Sequence, residues 1–135
     1  MAIIEGFEDI QAWKTCRILA KEIYQETSRA PLSRDFGFRD QIRRAAVSGM
    51  SNIAEGFERG GNKEFHQFLS MAKGSVGEVR SQLYVALDVG YIGKKDFDRL
   101  FAIADEAGRL IGGFMSYLKK SDHKGPKFKK SDKLT

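Results

Sequence analysis

Apolar residues recur along this chain at steps of three and four, and that rhythm marks out four helices. In the first, roughly Glu8 to Ser28, Ile10, Trp13, Cys16, Ala20 and Ile23 form an apolar seam, which Leu19 and Tyr24 widen. Pro31 stops this helix from continuing. Ser33 or Asp35 is placed to cap the second, which runs to about Phe57 along a seam of Ile42, Ala46, Gly49, Ile53 and Phe57. Gly60 and Gly61 break the pattern, and Asn62 is the expected N-cap of the third helix. Phe65, Phe68, Leu69, Ala72, Val76, Val79, Leu83 and Ala86 carry the helical period on to Gly90, which stands where a C′ glycine ends a helix. The fourth helix, from about Lys95 to Lys119, has Phe97, Phe101, Ala104, Gly108, Ile111, Met115 and Leu118 on its seam.

No stretch alternates apolar and polar residues for long enough to make a strand. The connections span about four to seven residues, which favours antiparallel neighbours. The expected fold is all-α: an antiparallel up-down-up-down four-helix bundle over residues 1–120. Residues 121–135 have no periodicity and read as a disordered, lysine-rich tail.

Composition refines this picture in three places. Residues 119–135 hold seven lysines against two aspartates, a net +5 that equals the charge of the whole chain, so residues 1–118 sum to zero. Bulk charge therefore argues for a polyanion partner only through the tail or through a local patch. The single cysteine, Cys16, cannot form an internal disulfide and reads as a small core residue. No run of 18 apolar residues offers a membrane span, and the start, MAIIEGFEDI, is unlike a secretory signal, so the expected location is the cytoplasm.

The second helix has two seams. Beside its apolar one, Gln41, Arg44, Ser48, Asn52 and Glu55 recur at the same spacing. The third helix answers with Ser75, Glu78 and Gln82. If these stripes face each other they form a polar helix-contact network, in which Arg44 or Arg43 could pair with Glu78 or Glu55. The competing reading is a pair of solvated faces. Glycines inside helices, among them Gly49, Gly74, Gly77, Gly108 and Gly112, each cost about 1 kcal/mol relative to alanine and point to close helix approach.

The segments FEDIQAWK, QIRRAAVSGMSNIAEGFERG, NKEFHQFLSMAKGSVGEV and LDVGYI together resemble the four-helix-bundle proteins of 23S ribosomal RNA intervening sequences. The accessory proteins of diversity-generating retroelements are similar in fold. The resemblance covers residues 5–118. It implies an antiparallel four-helix bundle that closes into a homopentamer and has no known enzymatic activity. It also implies a nucleic-acid setting, with RNA, DNA or a nucleic-acid-processing protein as partner.

The sequence offers little for catalysis. The two histidines, His66 and His123, lack a glutamate three residues before them, so a di-iron site is not expected. One cysteine does not make a zinc site, and no phosphate-cradling P-loop occurs, so no cofactor is expected. Arg59 and His66, six residues between them, resemble the catalytic motif of HEPN ribonucleases. With ten arginines and two histidines, so short a match arises by chance in about two chains of five. Arg39, Arg43, Arg59, Lys63 and Lys73 are candidates for a basic patch at the corner between the second and third helices. Lys127, Lys129 and Lys130 are candidates in the tail. The expected function is a non-catalytic homo-oligomer that binds nucleic acid or scaffolds a nucleic-acid complex. A HEPN-like ribonuclease and a purely structural oligomer are the alternatives.

Overall fold

The computed structural model describes residues 3–123. Its four helices are α1 (Gln11–Thr27), α2 (Phe36–Arg59), α3 (Asn62–Asp88) and α4 (Lys94–His123). Short 3-10 turns precede α1 (Phe7–Asp9) and α2 (Leu32–Arg34). Each helix packs on its two neighbours in cyclic order, α1 on α2, α2 on α3, α3 on α4 and α4 on α1. The described residues contain no strand. The chain is the antiparallel bundle that the periodicity predicts.

Several boundaries differ from the expectation. The first helix starts at Gln11, not Glu8, because the Asp9 carboxylate accepts hydrogen bonds from the backbone N–H groups of Glu5 and Gly6 and closes a separate turn. Asp35, not Ser33, caps α2, through Oδ1 accepting from the Phe38 N–H at 3.2 Å. Asn62 is not an N-cap. It is the first helical residue of α3, and Gly61 takes the cap position without a side-chain bond. Two residues alone, Gly60 and Gly61, join α2 to α3, while eight separate α1 from α2. α4 reaches His123, beyond the expected end at Lys119, and the remainder of the tail lies outside the described residues.

The turns show why glycine stands where it does. Gly60 has φ 88° and Gly90 has φ 82°, both in the left-handed region that a side chain disfavours. At Gly90 the chain closes a Schellman motif: the Gly90 N–H bonds to the Leu87 carbonyl and the Tyr91 N–H to the Ala86 carbonyl. Tyr91 then donates its hydroxyl to Oδ2 of Asp35 at 2.6 Å. The end of α3 is thereby tied to the cap of α2. The Tyr91 bond first, and the Phe38 N–H second, hold the Asp35 carboxyl below the usual carboxylate range, and the same contact raises the Tyr91 hydroxyl.

The seams meet in one core. Leu19, Ile23, Ile42, Ile53, Phe57, Phe65, Leu69, Leu83, Leu100 and Ile111 are each at most 1% exposed. Cys16 is fully buried among them, and burial pushes its thiol up to about 12. Two core glycines set helix spacing. A Cβ on Gly49 would meet Val76 Cγ2 at 3.2 Å and the Cys16 sulfur at 3.6 Å, and one on Gly56 would meet Phe68 Cβ at 2.6 Å. On the α1–α4 side, Arg99 joins Glu22, Glu26 and Asp96, of which Glu26 is only 6% exposed.

Two expectations follow. Gly56→Ala should cost about 1–3 kcal/mol by overpacking, whereas Gly74→Ala, whose Cβ would meet nothing within 4 Å, should add up to about 1 kcal/mol; urea unfolding of the two variants reads the contrast. The second concerns acid. A carboxyl depressed in the fold contributes stability above its unfolded value, near 3.9, and loses that contribution as the pH falls through its folded value. Tyr91→Phe should therefore lower the melting temperature at pH 7, and the gap to wild type should close as Asp35 becomes protonated. A gap constant from pH 7 to pH 2 would show that the bond does not set the Asp35 carboxyl.

Candidate functional site

Seven residues make two helical turns with a lag of about 20°, so positions seven apart run in a line along a helix. Three such lines divide α3. Phe68, Ser75 and Gln82 form the line toward α2. Met71, Glu78 and Val85 lie beside it and are exposed. His66, Lys73 and Arg80 form the line toward α4, where Lys73 and Arg80 border a groove shared with Gly108 and Gly112.

On the α2–α3 side, the Ser48 and Ser75 hydroxyls hydrogen-bond at 2.9 Å across the two helices. Asn52 donates through Nδ2 to Ser48 Oγ at 3.0 Å and to the Ser48 carbonyl at 2.9 Å. These three side chains are half-buried and mutually engaged. Gln41, Arg44, Glu55 and Glu78, at the margins of the same face, are exposed. Gln82 is 8% exposed; its Nε2 donates to Glu78 at 3.2 Å, while its buried Oε1 has no partner.

The expected pairing of Arg44 or Arg43 with Glu78 or Glu55 does not form within the chain. Arg43 lies about 100° around the helix from Arg44 and faces α1. There its Nε donates to Thr27 Oγ1 at 2.7 Å and its guanidinium covers the Tyr24 ring at 4.3 Å. Glu55 pairs with Arg59 at 3.0 Å, one turn along α2. Arg44 reaches neither carboxylate.

The proposed basic corner also separates. Arg39 and Arg59 are twenty residues apart on one helix, about 30 Å at 1.5 Å per residue. Arg39 and Arg43 therefore sit at the opposite end of α2 from the corner with α3. Arg39 is engaged locally, with Asp40 at 2.9 Å and the Ser33 carbonyl at 3.2 Å. Arg59 is shared between Glu55 and Glu64 and lies over the Phe68 ring. Lys63 turns the other way, into a recess with Asn62, His66, Gln67, Leu118 and Lys119. His66 lines that recess and Arg59 does not. Lys127, Lys129 and Lys130 lie outside the described residues. Among the described residues, no group of three or more His, Cys, Asp or Glu side chains is placed to hold a metal ion.

Comparison with known proteins settles the lineage. The sequence profile of the 23S rRNA-intervening sequence proteins matches residues 8–113, from the first 3-10 turn through most of α4. The chain belongs to the 23S rRNA-intervening sequence protein family. A solved relative in fold is a protein of unknown function from the S23 ribosomal protein family of Bacteroides thetaiotaomicron. It is 18% identical, with a TM-score of 0.72, and the match covers 78% of this chain and 95% of that one. At that identity the likeness speaks for the fold. Among curated proteins, none matches. The match to the intervening-sequence family thus spans the 3-10 turn, α1, α2, α3 and most of α4, and stops ahead of the lysine tail. Among the described residues, no helix is long and apolar enough to cross a membrane.

The sequence reading missed the residues that the fold gathers between α3 and α4: Arg80, Arg109 and Lys119 beside the already suspected Lys63 and Lys73. The available signal was the seven-residue step from Lys73 to Arg80, in phase with His66. On the α2–α3 side, Glu78→Ala should destabilise the chain, because it strands the buried Gln82 amide with neither end paired; such a loss costs about 1–3 kcal/mol when water cannot enter. An unchanged urea midpoint would show that Gln82 turns to solvent once freed.

Proposed function

We propose that this intervening-sequence family protein works as a non-catalytic homopentamer that binds nucleic acid or scaffolds a nucleic-acid complex. The carrying observation is the α2–α3 face. Met71 is 53% exposed, Val85 46% and Val89 57%, all on or just after α3. They flank a polar seam in which Gln82 keeps a buried, unpaired carbonyl oxygen. Exposed apolar side chains around an incompletely satisfied polar group suit a surface that a second subunit completes. Arg44 is exposed and, among the described residues, pairs with no carboxylate, which suits a carboxylate from a neighbour. Five copies around an axis would bury this face in a closed ring.

The nucleic-acid part of the proposal draws on the family's tie to ribosomal RNA intervening sequences and on the charge of the tail. Lys127, Lys129 and Lys130, with four other lysines after Leu118, supply counterion release without a base-reading surface. Five tails on one ring would add avidity to a modest single-site affinity.

Light scattering coupled to gel filtration should give close to five times 15.2 kDa. Met71→Glu or Val85→Glu should shift the protein to smaller species while keeping its helical circular dichroism. A concentration-independent monomer for the wild type would remove the ring. RNA cleavage by the purified chain that disappears in His66→Ala would replace the non-catalytic reading with the HEPN-like one.

A further inference from the structure

The balanced charge of residues 1–118 conceals a segregation. Between α3 and α4 runs an open groove of about 540 Å³ whose walls carry Lys73, Arg80 and Arg109 and whose only lining carboxylate among the described residues is Asp105. Asp105 is shared by both arginines, with Arg80 at 3.5 Å and Arg109 at 2.9 Å. One negative charge between two guanidiniums leaves the site positive. One turn further along the same helices, the recess of about 360 Å³ beside it adds Lys63 and Lys119 and, among the described residues, no carboxylate. Among the described residues, the linings of the two together carry five cations against one anion. From Lys63 to Arg80 it runs 17 residues of α3, about 25 Å.

The floor of this groove is bare. Gly74 and Gly77 of α3 and Gly108 and Gly112 of α4 line it, with Ser70. A Cβ on Gly74 would meet nothing, and the atoms nearest to one on Gly77 and Gly112 are Arg80 Nη2 and Lys73 Cε, each at 3.6 Å. Over Gly77 and Gly112 the side chains are thus the ends of the cationic residues, while a Cβ on Gly108 would meet Val76 Cγ1 at 3.9 Å. Arg80 Nε is buried and has no partner. At the far end Tyr84, in line with Ser70 and Gly77, is 51% exposed, and its ring is braced by Phe97 at 5.0 Å and Phe101 at 5.6 Å.

We propose that the α3–α4 groove is a track for a single strand of nucleic acid, its phosphates on Lys63, Lys73, Arg80, Arg109 and Lys119 and a base on Tyr84. A cation-lined channel with an aromatic platform is the arrangement that takes single strands without reading sequence. Helices packed about 8–10 Å apart leave a narrow furrow, on the scale of one sugar-phosphate backbone. The glycine floor lets a sugar-phosphate backbone approach the helix backbones. This rests on the nucleic-acid reading above and moves the contact from the tail to the bundle.

The test uses the full chain and a fluorescein-labelled single-stranded uridine 15-mer, read by anisotropy across a salt series, with circular dichroism and light scattering on every variant. Gly74→Glu places a carboxylate on the groove floor at an open position and improves helix propensity, so it should fold and bind at least tenfold more weakly. Arg80→Gln/Arg109→Gln should do the same and make the log–log salt slope shallower by about 1.4, two phosphate contacts at 0.7 each. Tyr84→Ala should weaken binding about tenfold at constant salt slope. Lys127→Gln/Lys129→Gln/Lys130→Gln should change affinity less than either groove variant. If the tail variant loses binding while the groove variants keep wild-type affinity and slope, the groove inference falls and nucleic-acid binding stands on the tail. If the full chain does not bind the 15-mer at low salt, both readings fall. Tighter binding of a duplex of equal length would overturn the single-strand assignment. Dissociation of the assembly by Gly74→Glu and by Arg109→Gln, at a residue 80% exposed, would make the groove a subunit contact and overturn it as well.

Discussion

The shortness of the link between α2 and α3 governs much of this molecule. With Gly60 and Gly61 alone between them, the two helices must leave the turn almost touching. A left-handed backbone at Gly60 makes so abrupt a reversal accessible. Close to the turn, Gly56 has no room for a side chain against Phe68, and two further turns up Gly49 rests against Val76 and Cys16. Only at such a separation can two short serine side chains, Ser48 and Ser75, meet across the interface. The polar seam, the buried Gln82 and the exposed line of Met71, Glu78 and Val85 all inherit their positions from that contact.

The helices were legible because their apolar period is unbroken and their ends are punctuated by glycine and proline. Gly90 could be assigned as a helix terminator from sequence because only a residue tolerant of positive φ suits that place. Asn62 was misassigned for an instructive reason. Asparagine is a good cap, but the preceding glycine already had the extended conformation the cap needs, and the turn was too short to spare both. The site was harder to read. Linear proximity grouped Arg39 and Arg43 with Arg59 and Lys63, whereas a 24-residue helix holds its ends far apart and turns neighbouring residues to different partners. Arg43 and Arg44 show this within a single step. The cations of the α3–α4 groove come from two helices, and no window along the chain contains them together.

Net charge hid the same information. Acidic and basic residues cancel over the bundle, yet the helices sort them: Glu22, Glu26 and Asp96 surround Arg99 between α1 and α4, and basic residues line the adjoining valley between α3 and α4. A sum over the sequence has no direction, while the field of a folded domain does. A family member whose residues 1–118 sum to zero can thus present a positive valley on one side of its bundle.

Cys16 has a practical consequence. It is the sole cysteine of the chain, fully buried, with its thiol pushed up to about 12. At neutral pH it offers alkylating reagents neither access nor thiolate. A cysteine introduced anywhere on the surface would then be the one group available to a maleimide dye or spin label, with the native residue left in place. Distances between subunits, and between a labelled helix and a labelled oligonucleotide, become measurable without first rebuilding the core around a missing sulfur.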